Sequence, residues 1–218
     1  MVKIERSICL TVVSRRAEFA KIDSFHKEIG LPLVRFDGVL GSTLTRKSVV
    51  LLHSSSVHKS LVFTATKRAR LAIALSHINI WKSLKSYGDS YSLILEDDVV
   101  LTKDSMESVN SALNSINFNW DILFLGHSGK LKGAKKESFV IAQGGHYPDT
   151  NHGMFAYVIN PKSIDKVLNA IGKLQRTQHI DWLLREKYGR SIVAVYCNPS
   201  IISHNNKIQS IRKKLDRI

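Results

Sequence analysis

Short segments rich in β-branched and aliphatic residues alternate with segments of helical periodicity along most of the chain. The first unit of this kind reads RSICLTVVS, then AEFAKIDSFHKEIG, then PLVRFDGVLG, and its helical part stops at Gly30. A strand, a helix and a second strand in this order form a β-α-β unit, from which parallel sheets with helices on their faces are built. The alternation therefore predicts the α/β class.

The remaining segments extend this pattern. Helices are predicted in ATKRARLAIALSHINIWKSLKSYG, SMESVNSALNSI, PKSIDKVLNAIGKL and QHIDWLLREKYG, and strands in YSLILEDDVV, WDILFLG, HGMFAYVIN and SIVAVYCNP. Residues 42–66 and the segment HSGKLKGAKKES are interpreted as loops, and KIQSIRKKLDRI as an amphipathic final helix. No repeat or low-complexity linker divides the chain, so we expect a single domain over residues 1–218.

Three adjacent carboxylates, Glu96, Asp97 and Asp98, follow the apolar run YSLIL. Adjacent carboxylates repel one another, and burying one in its ionised form costs several kcal/mol unless a partner compensates for the lost water. A divalent cation is the simplest partner, because hard oxygen ligands suit Mg²⁺ or Mn²⁺. The alternative is a solvated acidic turn at the end of a strand.

Other polar side chains also follow predicted strands. Asp37 precedes Gly38, His127 follows the strand WDILFLG, and His204 follows the segment NPSIIS. Open α/β sheets bind ligands at the carboxyl ends of their strands. The shared position favours a ligand site over an isolated acidic turn.

The formal net charge of +14 indicates an anionic partner. Nucleic acid, an anionic membrane surface and a phosphate-bearing substrate would each satisfy it, and the basic final helix could contact a membrane or simply face solvent. No apolar run approaches the roughly 18 to 20 residues that cross a bilayer. The two cysteines, Cys9 and Cys197, lie in apolar β-rich runs, which predicts buried free thiols and a reducing, cytoplasmic compartment.

Eight motifs, in order, resemble those of glycosyltransferase family 25, the group that contains lipopolysaccharide sugar transferases and collagen galactosyltransferase domains. The motifs are SRRAEF, FDGVLG, ALSHINIW, LILEDDVV, NWDILFLG, FAYVINPKSIDKVL, HIDWLL and NPSIISH. The resemblance implies a GT-A (Rossmann-like) domain with a mixed, mostly parallel central sheet flanked by helices. It also implies inverting, metal-dependent transfer of a hexose, galactose or glucose, from a UDP-sugar donor. The acceptor would be a glycan, a lipid-linked species or a protein, and nucleic acid is not an expected partner.

The resemblance also suggests roles for individual residues on the donor side. A Mn²⁺ or Mg²⁺ ion would be held by Asp98, Glu96 and His204. Asp97 would contact the ribose or hydrogen-bond to a metal ligand. The alternative for His204 is a surface histidine in a loop. Alternation along a strand favours Glu96 and Asp98 on one side. The remaining donor-side residues are expected near the nucleotide or its sugar; they are Thr11, Val12, Arg15, Asp37, Ser76 and His77.

An inverting enzyme needs a general base that is separate from the metal carboxylates. We expect this base to be Asp181 in QHIDWLL, where the start of a helix can hold a carboxylate ionised. Asp149 in HYPDTNHG is the rival, and an ordinary helix-capping role is the alternative for Asp181.

Two other classes of protein fit parts of the sequence. A response-regulator receiver would share the acidic pattern, but it needs an aspartate in the region of FVIAQGG and a lysine at the end of the fifth strand, and neither FVIAQGG nor SIVAVYCNP contains the residue required. A non-enzymatic basic α/β module that binds nucleic acid or another anion would fit the charge. The sequence contains no helix-turn-helix, zinc-finger or RNA-recognition signature to support a nucleic-acid binder.

Overall fold

The computed structural model describes residues 2–45, 64–144, 152–172 and 179–205. Asp149, the expected final helix and most of the segment 42–66 lie outside these ranges. Ten strands are found in the described residues: β1 Ile4–Thr11, β2 Leu33–Asp37, β3 Tyr91–Glu96, β4 Val99–Val100, β5 Ile122–Phe124, β6 Gly133–Lys136, β7 Phe139–Ala142, β8 Ala156–Ile159, β9 Ala194–Cys197 and β10 Ser203–His204.

Eight of these strands form the central sheet, in the order β2-β1-β3-β8-β5-β9-β7-β6. Strands β1, β2 and β3 are parallel to one another, and β5 is parallel to β9. Strand β8 is antiparallel to both β3 and β5, while β7 is antiparallel to β9 and β6. All strands except β7 and β8 therefore run in the same direction, which confirms the expected mixed, mostly parallel sheet.

Helices cover both faces of this sheet, as expected for the α/β class. They are α1 Arg16–Glu28, α2 Ala65–Leu84, α3 Ser105–Ser115, α4 Ile164–Ile171 and α5 Ile180–Arg185. Residues of α2, α4 and α5 share one buried apolar cluster with the sheet, and residues of α1 and α3 share the other. The central strand β3 contributes to both clusters, and its residues Leu93, Ile94 and Leu95 have no exposed surface. A continuous apolar run is what a strand covered on both faces requires.

The structure differs from the predicted elements in three places. The predicted strand YSLILEDDVV stops at Glu96, because Asp97 and Asp98 form a turn before the short β4. The segment HSGKLKGAKKES, interpreted as a loop, contains β6, which forms a hairpin with β7. Strand β10 was not predicted, and it pairs with β4 in a separate two-stranded ladder.

The longest described helix is α2, and four basic residues interrupt its apolar character; they are Lys67, Arg68, Arg70 and Lys82. None of the described helices combines the length and the apolarity needed to cross a membrane. Cys9 and Cys197 are both buried free thiols, as expected.

Candidate active site

The ends of three strands bring the acidic residues to one edge of the sheet. In the parallel pairing of β1 with its neighbours, Thr11 is opposite Asp37 and Leu10 is opposite Glu96. Strand β8 runs the other way, so its beginning near Phe155 reaches the same edge, where the Glu96 N–H donates to the Phe155 carbonyl at 2.8 Å. The site therefore combines carboxyl ends of parallel strands with the amino end of one antiparallel strand.

Asp97 is held by two groups of the protein. Its Oδ2 accepts a hydrogen bond from Thr11 Oγ1 at 2.5 Å, and its Oδ1 lies 2.8 Å from Arg15 Nη1. Arg15 comes from the short 3-10 turn after β1, and both ionic side chains are buried. Burial raises the pKa of Asp97 to about 6, although Thr11 and Arg15 act in the opposite direction.

Asp98 is less completely satisfied than Asp97. Its Oδ2 lies 3.6 Å from His204 Nε2 and 3.9 Å from Arg15 Nη1, while its Oδ1 is buried without a hydrogen-bond partner. Burial, followed by the charge of Glu96, raises the pKa of Asp98 to about 6. The β4–β10 ladder explains how His204 reaches this carboxylate, because His204 pairs with Val99.

Glu96 contacts a buried chain of aromatic side chains. His77 Nε2 lies 3.2 Å from Glu96 Oε1, and His77 Nδ1 lies 2.8 Å from the hydroxyl of Tyr157. That hydroxyl accepts a hydrogen bond from Trp81 Nε1 at 2.8 Å. Trp81 can only donate, so the Tyr157 proton is available for His77 Nδ1, and Nε2–H then donates to Glu96. In this arrangement His77 Nδ1 accepts from the Tyr157 hydroxyl, and Nε2 carries the ring proton that faces Glu96.

Asp181 lies in the first turn of α5, as predicted. Its Oδ1 accepts a hydrogen bond from the Gly153 N–H at 3.5 Å. Burial raises the pKa of Asp181, and the charge of Glu96 acts in the same direction, while His152 and His77 oppose it. A carboxylate whose pKa is raised toward neutrality is a stronger proton acceptor than an ordinary surface aspartate.

The other donor-side residues are placed as follows. Asp37 is exposed and pairs with Arg35, at 2.8 Å between Oδ1 and Nη2, rather than with the acidic turn. Ser76 is buried; its hydroxyl accepts from the Val39 N–H at 2.8 Å and so fixes the loop after β2 to α2. Val12 is partly exposed between Thr11 and the 3-10 turn.

The described structure thus brings most of the expected residues together. One contact network joins Thr11, Arg15, Asp97, Asp98 and His204, and a separate contact joins His77 to Glu96. Electrostatic interaction links Glu96 to Asp98 and links Asp181 to Glu96 and His77. Glu96 and Asp98 were expected to share one side of a strand, and this was wrong because β3 ends at Glu96 and Asp98 lies in the turn that follows. Sequence reasoning did not identify Tyr157 and Trp81 as parts of the site; the polar ends of two buried aromatic side chains, each requiring a partner, were the available signal.

The residues present fit a divalent cation only in part. Within the described ranges, no three carboxylate, imidazole or thiol side chains converge in a geometry that would hold a metal ion. Asp98 nevertheless offers a buried oxygen without a partner, beside an imidazole nitrogen. A carboxylate oxygen and an imidazole nitrogen are donor types that suit Mn²⁺.

A protein-family model described as glycosyltransferase family 25 (LPS biosynthesis protein) matches residues 8–184. Among curated proteins, procollagen galactosyltransferase 1 of Danio rerio is 24% identical over 132 residues, which cover 59% of this chain and 22% of that protein. Procollagen galactosyltransferase 1-B of Xenopus laevis is 26% identical over 112 residues, covering 49% and 18%. The matched region thus spans about a fifth of these relatives.

Two solved structures overlap with the chain at low similarity. The inositol-1-phosphate CTP transferase from T. maritima gives a TM-score of 0.46 at 8% identity, covering 98% of this chain and 96% of that one. A glycosyltransferase involved in glycosylation of the major capsid of PBCV-1 gives 0.36 at 9% identity, covering 73% and 61%. The α/β class is evident from the sheet itself.

Proposed function

The chain belongs to glycosyltransferase family 25, and on this basis we propose that it transfers a hexose from a UDP-sugar to an acceptor hydroxyl with inversion at the anomeric carbon. That the protein is a glycosyltransferase follows from the family, so a non-enzymatic basic module is no longer needed to explain the charge. The donor nucleotide, the metal ion and the stereochemistry are parts of the proposal. Galactose is the favoured sugar, because both named relatives are galactosyltransferases.

One observation carries the proposal: Asp98 has a buried oxygen without a partner, at the sheet edge where ligands of open α/β sheets bind. A buried carboxylate oxygen normally has a hydrogen-bond partner or a cation. Asp97 cannot take the same role, since Thr11 and Arg15 occupy both its oxygens. Asp98 is therefore the residue of the acidic turn that is available to a ligand.

Asp98 and His204 would hold the metal ion, with Glu96 close enough to add its charge. When bound, a divalent ion supplies Lewis-acid stabilisation of the charge that develops on the diphosphate. Arg15 already lies between Asp97 and Asp98, and a guanidinium at this position would also favour an anionic leaving group.

Asp181 would act as the general base. As the acceptor oxygen forms its bond to the anomeric carbon, its proton passes to the Asp181 carboxylate, and the bond from that carbon to the β-phosphate oxygen breaks. The nucleoside diphosphate leaves with the electron pair of the broken bond. The raised pKa of Asp181, caused first by burial, suits this proton transfer.

The acceptor class and the location complete the proposal. We take the acceptor to be a surface glycan in synthesis, either lipid-linked or attached to protein, handled in the cytoplasm at the inner face of a membrane. This agrees with the family's description as containing lipopolysaccharide biosynthesis proteins. The basic segment 206–218, which would make the membrane contact, lies outside the described residues.

The test is a screen of UDP-, GDP- and CMP-sugars for hydrolysis with Mn²⁺, Mg²⁺ or EDTA. We expect UDP-galactose or UDP-glucose to be hydrolysed in the presence of the metal and to be protected by EDTA. Hydrolysis of a GDP- or CMP-sugar instead would correct the donor, and equal rates in EDTA would overturn the metal dependence.

A further inference from the structure

A cavity lies where the segment after β5 meets the β6–β7 hairpin and the residue that follows β9. It has a volume of about 370 Å³, which is within the range of small-molecule sites. Its polar lining comes from four side chains: His127, Lys130, Lys135 and Asn198. Two lysines, a histidine and an asparagine line one concave space, and none of the described residues that line it carries a carboxylate.

The β6–β7 hairpin directs one lysine into this cavity and its neighbour away from it. Lys135 is opposite Val140, which also lines the cavity, and opposite residues of a strand pair share a face. The next residue, Lys136, lies on the other face, where its Nζ is 4.1 Å from the centre of the Phe118 ring. The two adjacent lysines therefore have different surroundings.

Backbone contacts connect the cavity with the general base. Ser128, next to His127, donates its N–H to the His152 carbonyl at 3.0 Å, and His152 acts electrostatically on Asp181. A Cβ built on Gly153, the hydrogen-bond donor to Asp181, would lie 2.4 Å from the Gly126 carbonyl, so these backbones are in close contact.

The sheet order sets the direction in which the cavity lies. The Arg15–Asp97 pair lies at β1 and β3, whereas the cavity lies at β9, β7 and β6. Asp181 contacts Gly153, which precedes β8, and β8 lies between β3 and the strands of the cavity, so Asp181 lies between the donor side and the cavity. A group bound in the cavity would belong to the molecule that approaches the base from the side opposite the nucleotide.

We propose that this cavity binds an anionic substituent, a phosphate or a carboxylate, on a sugar of the acceptor. The acceptor class is therefore an acidic glycan. The identification of the bound molecule as the acceptor rests on the proposed function. Binding of an acidic sugar in the cavity can nevertheless be measured without any transfer reaction. Lys130 and Lys135 supply the charge, and Asn198 supplies an amide that can bind neighbouring hydroxyls.

The experiment measures binding of glucose 6-phosphate, glucuronate and glucose to the whole protein by titration calorimetry. Saturating UDP and Mn²⁺ keep these sugars away from the donor side. We expect wild-type protein to bind the two acidic sugars about tenfold more tightly than glucose, because a hydrogen bond between charged groups contributes roughly this much to affinity. The double variant Lys130→Ala, Lys135→Ala should lose this preference, and Lys136→Ala, which removes the same charge one residue away on the opposite face, should keep it.

Three results would overturn the proposal. The first is equal affinity of the wild-type protein for glucose and the acidic sugars. The second is that Lys136→Ala loses the preference to the same extent as the double variant. The third is that the protein binds phosphatidylglycerol vesicles through Lys130 and Lys135 but does not bind the sugars. The last result would assign the basic surface to a membrane. Hydrolysis of UDP-sugars by the wild-type protein is measured separately, so failure of the proposed function leaves the binding result interpretable.

Discussion

Arg15 and Asp97 form a buried ion pair, with 2.8 Å between Nη1 and Oδ1, and Asp97 belongs to the same turn as Asp98. The pair links the 3-10 turn after β1 to the turn after β3. It distinguishes two adjacent aspartates, since both oxygens of Asp97 have partners whereas Asp98 Oδ1 has none, as the proposed ligand role of Asp98 requires.

The first prediction compares the two aspartates. Asp97→Ala should destabilise the protein by about 3 to 5 kcal/mol, because it leaves the Arg15 charge buried and without its main partner. Asp98→Asn should leave the protein folded but abolish most metal-dependent UDP-sugar hydrolysis. Urea unfolding measures the former and a hydrolysis assay the latter. Full activity in Asp98→Asn would refute its proposed role as a metal ligand.

The second prediction concerns the pH dependence of stability in EDTA. The pKa of Asp98 is raised to about 6 in the folded protein, by burial first and by Glu96 second, from an ordinary value of 3.8. The folded state therefore binds this proton more tightly, and the unfolding free energy decreases as pH rises from about 4 to about 6. Asp98→Asn, which cannot ionise, should raise the unfolding free energy by about 1 to 3 kcal/mol near pH 7.5 and change it little near pH 4. The same gain at both pH values would contradict the prediction.

The third prediction tests the general base. Asp181→Asn should bind the UDP-sugar within a few-fold of the wild type yet lose transfer by roughly a hundredfold or more. Donor affinity and transfer to an acceptor are measured on the same preparation. Asp149→Asn is the matched comparison, because Asp149 is the rival candidate. If Asp149→Asn alone shows the transfer defect, the base has been assigned to the wrong aspartate; if neither does, the inverting mechanism fails.

The fourth prediction addresses the aromatic chain behind Glu96. Tyr157→Phe removes the group that both Trp81 Nε1 and His77 Nδ1 contact, so we expect a loss of about 2 to 4 kcal/mol in unfolding free energy. Tyr87→Phe is the control, since Arg6 lies over that ring, 4.2 Å from its centre, and the ring is retained. In the wild type, ¹⁵N NMR should show His77 protonated at Nε2 and unprotonated at Nδ1. Protonation at Nδ1 would refute the assigned tautomer.

The fifth prediction concerns a residue of the NWDILFLG motif that has a structural role. Asp121 accepts hydrogen bonds from Ser163 Oγ at 2.6 Å and from the Val193 N–H at 2.7 Å, and Lys166 Nζ lies 2.5 Å away. Burial raises its pKa, but these hydrogen bonds outweigh that effect, so the pKa of Asp121 is lowered overall. Its stabilisation is therefore present above the ordinary pKa of 3.8 and is lost as pH falls through its lowered folded-state value.

Asp121→Ala should cost about 2 to 4 kcal/mol in urea unfolding at neutral pH, because a buried hydroxyl and a partly buried N–H lose their acceptor. Lys166→Ala should cost less than about 1 kcal/mol, since that side chain is half exposed and solvent screens its charge. Equal losses in the two variants would show that the exposed ion pair, rather than the buried hydrogen bonds, provides the stability.

The sequence was informative where a pattern is local. The β-α-β start, the long helix α2 and the apolar strand before Glu96 each follow from residue spacing within one segment, and the structure confirms them. The direction of β8 could not be predicted, because no residue within FAYVIN depends on whether its neighbours run parallel or antiparallel. Strand β6 was missed because GAKK carries charges that are typical of a loop. Its pairing with β7 uses backbone hydrogen bonds, which these side chains do not prevent.

The candidate site shows the same limit. Carboxylates at strand ends could be located from the sequence, but their partners could not. Asp97 pairs with Thr11 and Arg15 from the first strand and its turn, and Glu96 contacts His77 from a helix. These are contacts between distant parts of the chain, and only the folded arrangement determines which of three adjacent carboxylates keeps an oxygen free.

The pairing of β10 with β4 has a consequence for the order of events during protein synthesis. Asp98 is made early and His204 late, and the two side chains meet only when β10 is added to β4. While a nascent chain is growing on the ribosome, its acidic turn can already pack against Arg15, but it has no imidazole beside it. The candidate site is therefore complete only once residue 204 has been added, and a polypeptide released before residue 203 would contain the carboxylates of the site without the histidine that accompanies them.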